Sequence, residues 1–227
     1  LQAGIDEILV ANRTFARGQE LAEQFHGRAI PFEQLAGHLT EVDIIITSTG
    51  VIGEPLPLEP ILNGIPALCD SLGYDAENGY AAASAIMTTD TRLKQIAAET
   101  MIDGVKVKIG GMSKGSGMIQ PNMATMLCFV TTDAHISSEA LQTLLKRVAD
   151  RTFNMISVDG DTSTNDTFSV MASGLAGNAL IDDPDSESGK AFEALLEYVC
   201  KYLARKMAAD GEGASKILEC RVHGCDT

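Results

Sequence analysis

The quick alternation of the first fifty residues constrains the fold most. EILVANRT, FARGQELAEQF, RAIPF, EQLAGHL and VDIIITSTG follow one another between Glu7 and Gly50, reading as strand, helix, strand, helix and strand. Such units require a parallel sheet, because parallel neighbours can be joined only by a connection long enough to cross back over it. After Gly50 the texture changes. VIGEPLPLEPILNGIPALCDSLG carries most of the prolines and no clean period. A boundary therefore falls near Ser48, dividing the chain into an α/β segment, 1–47, and a mixed α+β domain, 48–227.

In the second part VKVKIGG alternates as a half-buried strand, and MLCFVTTDA reads as a more fully buried one. ISSEALQTLLKRVADRTF predicts a helix capped by Ser137 or Ser138, with Leu141, Leu144, Leu145 and Val148 on one face. FSVMASGLAGNAL reads as a helix of small residues. AFEALLEYVCKYLARKMA repeats the amphipathic spacing through Phe192, Leu195, Leu196, Val199 and Leu203.

Charge excludes some partners. With 17 basic against 31 acidic residues, the net charge of −14 repels phosphate backbones and anionic membranes, so neither nucleic acid nor lipid is an expected partner. Five cysteines, at 69, 128, 200, 220 and 225, lack framework spacing and predict free thiols in a reduced compartment. No segment reaches the ~18 uninterrupted apolar residues of a membrane span, and no basic start with an apolar core marks a secretory signal. The cytoplasm is the expected location. LQAG at the start reads as the tail of a helix already under way, as if cut from something longer.

Most motifs fall to simple tests. Arg13 in ANRT stands where a dinucleotide-binding unit meets the adenosine ribose and would favour a 2′-phosphate, yet the glycine loop that should hold the pyrophosphate is missing. In GGMSKGSGM the order is wrong for a phosphate loop, since Lys114 precedes Gly115. DGDTSTNDT offers Asp159, Asp161 and Asp166, but Thr164 and Val170 stand where a calcium loop needs glycine and glutamate. A turn rich in side-chain hydrogen bonds is the better reading. The four histidines are scattered, and no metal is expected.

SKGSGMIQPNMATML, residues 113–127, is different. A threonine hydroxyl is a weak nucleophile without a base beside it. If Thr125 attacks the preceding carbonyl and the ester is hydrolysed, its freed α-amino group, of pKa ~7.7–8.0, becomes that base. Small Ala124, Pro121 and the glycines at 115 and 117 suit such an attack. On composition alone, Thr125 at a strand start is far more often a simple β-former than a nucleophile.

Resemblance goes further. STGVIGEPLP, AIMTTDT, GGMSKGSGMIQPNMATML, VTTDA, VDGDTSTNDT and DGEGASK occur in order. Through them, residues 48 to the end resemble the ornithine acetyltransferase family, also called glutamate N-acetyltransferase, of arginine biosynthesis. The resemblance implies self-cleavage between Ala124 and Thr125, with the freed threonine then carrying an acetyl group from N-acetylornithine to glutamate. It implies an oxyanion hole at Thr49 and Gly50, and substrate contacts at Thr88, Lys114, Thr125 and Glu212. Fragments 1–124 and 125–227 would stay associated, as a heterotetramer, and no cofactor is implied.

Over about Leu1 to Gly50, ILVANRTFARGQELAEQF, AIPFEQL and VDIIITSTG resemble instead the central, NADP-binding Rossmann-like domain of glutamyl-tRNA reductase. The expected molecule is therefore a composite: a partial Rossmann-like segment followed by an acetyltransferase domain incomplete at both ends. An inactive composite and a reductase fragment are the alternatives.

Overall fold

The computed structural model describes residues 7–42, 45, 53, 54, 56, 57, 59–120, 126–163 and 166–224. The chain forms two compact units, Leu1–Leu72 and Gly73–Thr227. The boundary expected near Ser48 and most of the expected strand VDIIITSTG lie outside the described residues.

In the first unit, strands β1 (Leu9–Asn12) and β2 (Arg28–Pro31) run parallel, with Leu9 opposite Arg28, and helix α1 (Phe15–Phe25) joins them. The expected strand-helix-strand unit is present here. Its helix stops because His26 takes a left-handed conformation, φ 52°, while the Gly27 amide donates back to the Ala22 carbonyl at 2.8 Å. A side chain at Gly27 would collide with the Ile8 carbonyl. A short helix, α2 (Leu35–His38), follows, flanked by 3-10 turns. The proline-rich stretch, which shows no period in the sequence, forms helix α3 (Glu59–Asp70) with Pro66 inside it and no residue buried.

The second unit opens with helix α4 (Ala76–Ala85), capped by Asp75, whose carboxylate accepts the Asn78 amide at 2.8 Å. Its sheet has the order β3-β4-β5-β6. Strands β3 (Lys94–Ile102) and β4 (Val105–Lys114) form an antiparallel hairpin. Its turn, Asp103-Gly104, has φ of 50° and 77°, the paired left-handed residues that match strand twist. Strand β5 (Leu127–Thr132) pairs antiparallel with β4. From there helix α5 (Ser138–Asp150) crosses to β6 (Thr167–Ala172), which lies parallel to β5. Ser137 is the α5 cap, its hydroxyl accepting the Ala140 amide at 3.2 Å.

FSVMASGLAGNAL, expected to be helical, is thus a strand followed by turns. Small residues tolerate a helix, but partners along β5 decide otherwise, and Gly174 and Gly177 at φ 73° and 85° prevent a helix beyond Ala172. Helix α6 (Glu187–Ala209) packs on β3 and β4, burying Phe192, Leu195, Leu196, Val199, Leu203 and Met207. Its close approach depends on Gly111 in β4, where a Cβ would meet Val199 and Leu203 at 3.0 and 3.1 Å. The core is completed by Val107, Ile109, Val130, Leu144 and Val148. Burial on this scale, roughly 1.5–3 kcal/mol per large apolar side chain, makes the sheet and α6 a rigid platform.

Candidate functional site

Topology gathers the polar residues at one end of that platform. Lys94 at the start of β3 lies opposite Ser113, near the end of β4, and Lys114 lies opposite Leu127 at the start of β5. The MTTDT loop before β3 and the SKGSG segment after β4 therefore meet. Helix α6 also ends there, at Asp210, and delivers Glu212 just beyond its last turn.

Three predicted substrate residues converge on residues 114–117. The Lys114 Nζ donates to the Thr88 hydroxyl at 2.7 Å. The Glu212 amide donates to the Ser116 carbonyl at 2.7 Å, and the Ser116 and Thr89 hydroxyls share a hydrogen bond of 2.7 Å. The Glu212 carboxylate rests against Gly117, where a Cβ would sit 2.8 Å from Cδ and 2.9 and 3.0 Å from the two oxygens. A cation and an anion thus stand at the two ends of one four-residue segment, with hydroxyls between them.

Gly117 is consequently a geometric requirement for where the carboxylate lies, and not for the backbone, since its φ is not positive. Gly117→Ala is expected to change stability by less than about 1 kcal/mol, because only the end of a flexible, exposed side chain must move. Glu212 should nevertheless be displaced, and, on the substrate-binding role expected of it, affinity for an amino-acid ligand should fall several-fold. Thermal unfolding and a binding titration read the two effects separately.

Beneath this surface lies a set of buried charges that sequence reasoning missed. The Lys94 ammonium donates to Asp90 Oδ1 at 2.7 Å and to Asp210 Oδ2 at 2.6 Å. The three side chains are 1%, 0% and 2% exposed. Asp90 also accepts the Gly115 amide at 2.8 Å and the Thr88 amide at 3.3 Å. Asp210 accepts the amides of Thr91 and Arg92 at 3.0 and 3.2 Å, and the Thr91 hydroxyl. Burial pushes both carboxyl groups up. The amides and Lys94 outweigh it for Asp90, as Lys94 and Thr91 do for Asp210, and both are held below the ordinary carboxylate range. Asp90 and Lys94 are four apart, but no helical pattern there suggests a pair, and Asp210 is remote in sequence.

The acidic loop is a second organising feature. Asp159 accepts the amides of Met118 and Ile119 at 2.6 and 3.0 Å, and that of Asp161 at 3.2 Å. Asp166 accepts the Met126 amide at 2.7 Å. The expected turn rich in side-chain hydrogen bonds is thus present, and it reaches beyond itself to hold the chain on both sides of residues 120–125.

Thr49, Gly50, Ala124 and Thr125 lie outside the described residues. Arg13 belongs to the first unit, where its guanidinium lies over the Phe32 ring, 5.9 Å from the centroid. Among the described residues, no helix is long and apolar enough to cross a membrane.

Known proteins match this chain closely. "Arginine biosynthesis bifunctional protein ArgJ" from Symbiobacterium thermophilum is 54% identical over 182 residues, 80% of this chain and 44% of that protein. The protein of the same name from Geobacillus stearothermophilus is 45% identical over 225 residues, 97% of this chain and 54% of its own. The crystal structure of the Bacillus halodurans ArgJ protein aligns over 39% of this chain and 41% of its own, at 50% identity and a TM-score of 0.37. The chain spans about half the length of the curated relatives it matches. The alignment to the Geobacillus protein takes in most of the first fifty residues, which the sequence alone sets apart as a reductase-like piece. With the ArgJ pattern matching residues 12–227, the chain belongs to the ArgJ family.

Proposed function

We propose that this chain carries an acyl-transfer site that moves an acetyl group from N-acetylornithine to glutamate through an ester on Thr125. The observation that carries the reading is the convergence of Thr88, Lys114 and Glu212 on one segment. N-acetylornithine presents an α-carboxylate and a side-chain ammonium, its α-nitrogen being acylated. Lys114 suits the first and Glu212 the second, as charge-assisted hydrogen bonds.

The chemistry runs in two halves. First, self-cleavage between Ala124 and Thr125 frees the Thr125 amine. That amine takes the hydroxyl proton as Oγ attacks the acetyl carbonyl of N-acetylornithine. Thr49 and Gly50 stabilise the resulting oxyanion. Collapse breaks the amide bond, the proton passes to the departing nitrogen, and ornithine leaves. Glutamate's amine then attacks the ester, restoring the Thr125 hydroxyl and forming N-acetylglutamate. Fragments 1–124 and 125–227 remain together, as a heterotetramer, and the reaction calls on no cofactor.

Binding of L-ornithine to the chain, followed by titration calorimetry, tests the site. Lys114→Met and Glu212→Gln each remove one charge-assisted contact, worth about 1.5–3 kcal/mol, and should weaken binding roughly 10- to 100-fold. Unchanged affinity in both variants would overturn the assignment.

A further inference from the structure

The surface triad Thr88, Lys114 and Glu212 comes from the loop before β3, the end of β4 and the segment after α6, and a platform of apolar packing does not by itself fix how these three stand to one another. What ties them is underneath. Asp90 holds the Thr88 amide with one oxygen and the Gly115 amide, next to Lys114, with the other. Lys94 joins Asp90 to Asp210, and Asp210 in turn holds the amides of Thr91 and Arg92 while standing two residues before Glu212. Lys94 also donates to the Arg92 carbonyl at 3.2 Å. Each carboxylate therefore bonds backbone of a site loop, and the ammonium locks the two carboxylates together.

The location of Asp210 adds to the argument. It follows the last turn of α6, where the carbonyl ends of the helix disfavour a negative charge. A solvated residue would serve that position better. A buried aspartate is tolerable there because Lys94, the Thr91 hydroxyl and the amides of Thr91 and Arg92 lie against it, so its burial makes the helix end and the loop before β3 one unit.

We infer that the Asp90–Lys94–Asp210 ion cluster is the positioning element of the site, setting the distances among Thr88, Lys114 and Glu212 without touching the ligand. Only the identity of that ligand rests on the function proposed above.

The test uses the full chain and compares Lys94→Met with Val148→Ala, a cavity in the core face of α5. Ornithine binding is measured by calorimetry, and amide hydrogen exchange is followed residue by residue. In Lys94→Met the amides of Thr88, Gly115 and Glu212 should exchange at least tenfold faster, and ornithine affinity should fall at least tenfold. Val148→Ala should lower the melting temperature while leaving those three amides and the affinity unchanged. Thr91→Val removes one hydroxyl bond to Asp210 and keeps both ion pairs, so it decides the matter if Lys94→Met does not fold. It should show the same pattern more weakly. Wild-type exchange at the three amides in a folded Lys94→Met or in Thr91→Val overturns the inference. If wild-type protein does not bind ornithine while exchange responds as expected, the substrate reading fails and the positioning role stands.

Discussion

Under the proposed self-cleavage, Thr125→Ala is expected to give one chain of full length and the wild-type protein to give fragments 1–124 and 125–227. The alanine variant lacks the only atom at that position able to attack the preceding carbonyl. A well-oriented intramolecular nucleophile gains an effective molarity of about 10⁵–10⁸ M, so its loss leaves only the attack of water, too slow to observe. The described residues on either side are held: Asp159 pins Met118 and Ile119, and Asp166 pins Met126. Asp159 is held ionised for this work, since burial pushes it up but the amides of Met118, Asp161 and Ile119 outweigh burial and lower it. Thr125→Ser keeps a hydroxyl and should still split. Intact mass reads all three proteins directly. A folded wild type that stays whole sinks the proposal, and equal splitting of Thr125→Ala assigns the cut to another cause.

Much of the second unit was legible because its signals are local. The helix from Ser138 and the helix through Phe192 and Leu203 show themselves by spacing, and β4 by alternation. Strand β3 and β6 were harder. KQIAAETMI alternates only weakly, and its identity comes from the Asp103-Gly104 turn that folds it onto β4. For β6 the deciding fact is register against β5, which no window of sequence contains. The candidate site divides the same way. Thr88, Lys114 and Glu212 sit in motifs, whereas Asp90, Lys94 and Asp210 look like ordinary surface charges until burial of the three is known.

Lys94→Met should be among the most destabilising single changes in the second unit. It removes the cation between two carboxylates that remain buried, and breaking a buried pair in this way costs about 3–5 kcal/mol. For a unit of this size that lowers the melting temperature on the order of 10 °C. The effect should depend on pH in one direction. Both aspartates have folded values below the ordinary one of ~3.9, so in the wild type their contribution is complete above that value. It is lost as pH falls through the lower folded values. Without Lys94, burial is opposed only by the amides and the Thr91 hydroxyl, so the carboxyl groups take up protons at higher pH than before. The gap in stability between wild type and variant is therefore widest near neutrality and narrows on acidification. Replacing all three charges, as Asp90→Asn, Lys94→Met and Asp210→Asn together, should cost less than Lys94→Met alone, because no buried charge is then left without a partner. Denaturant titrations of the three proteins at neutral and acid pH measure both trends. A loss under about 1 kcal/mol in Lys94→Met at neutral pH would mean that water reaches the aspartates after all.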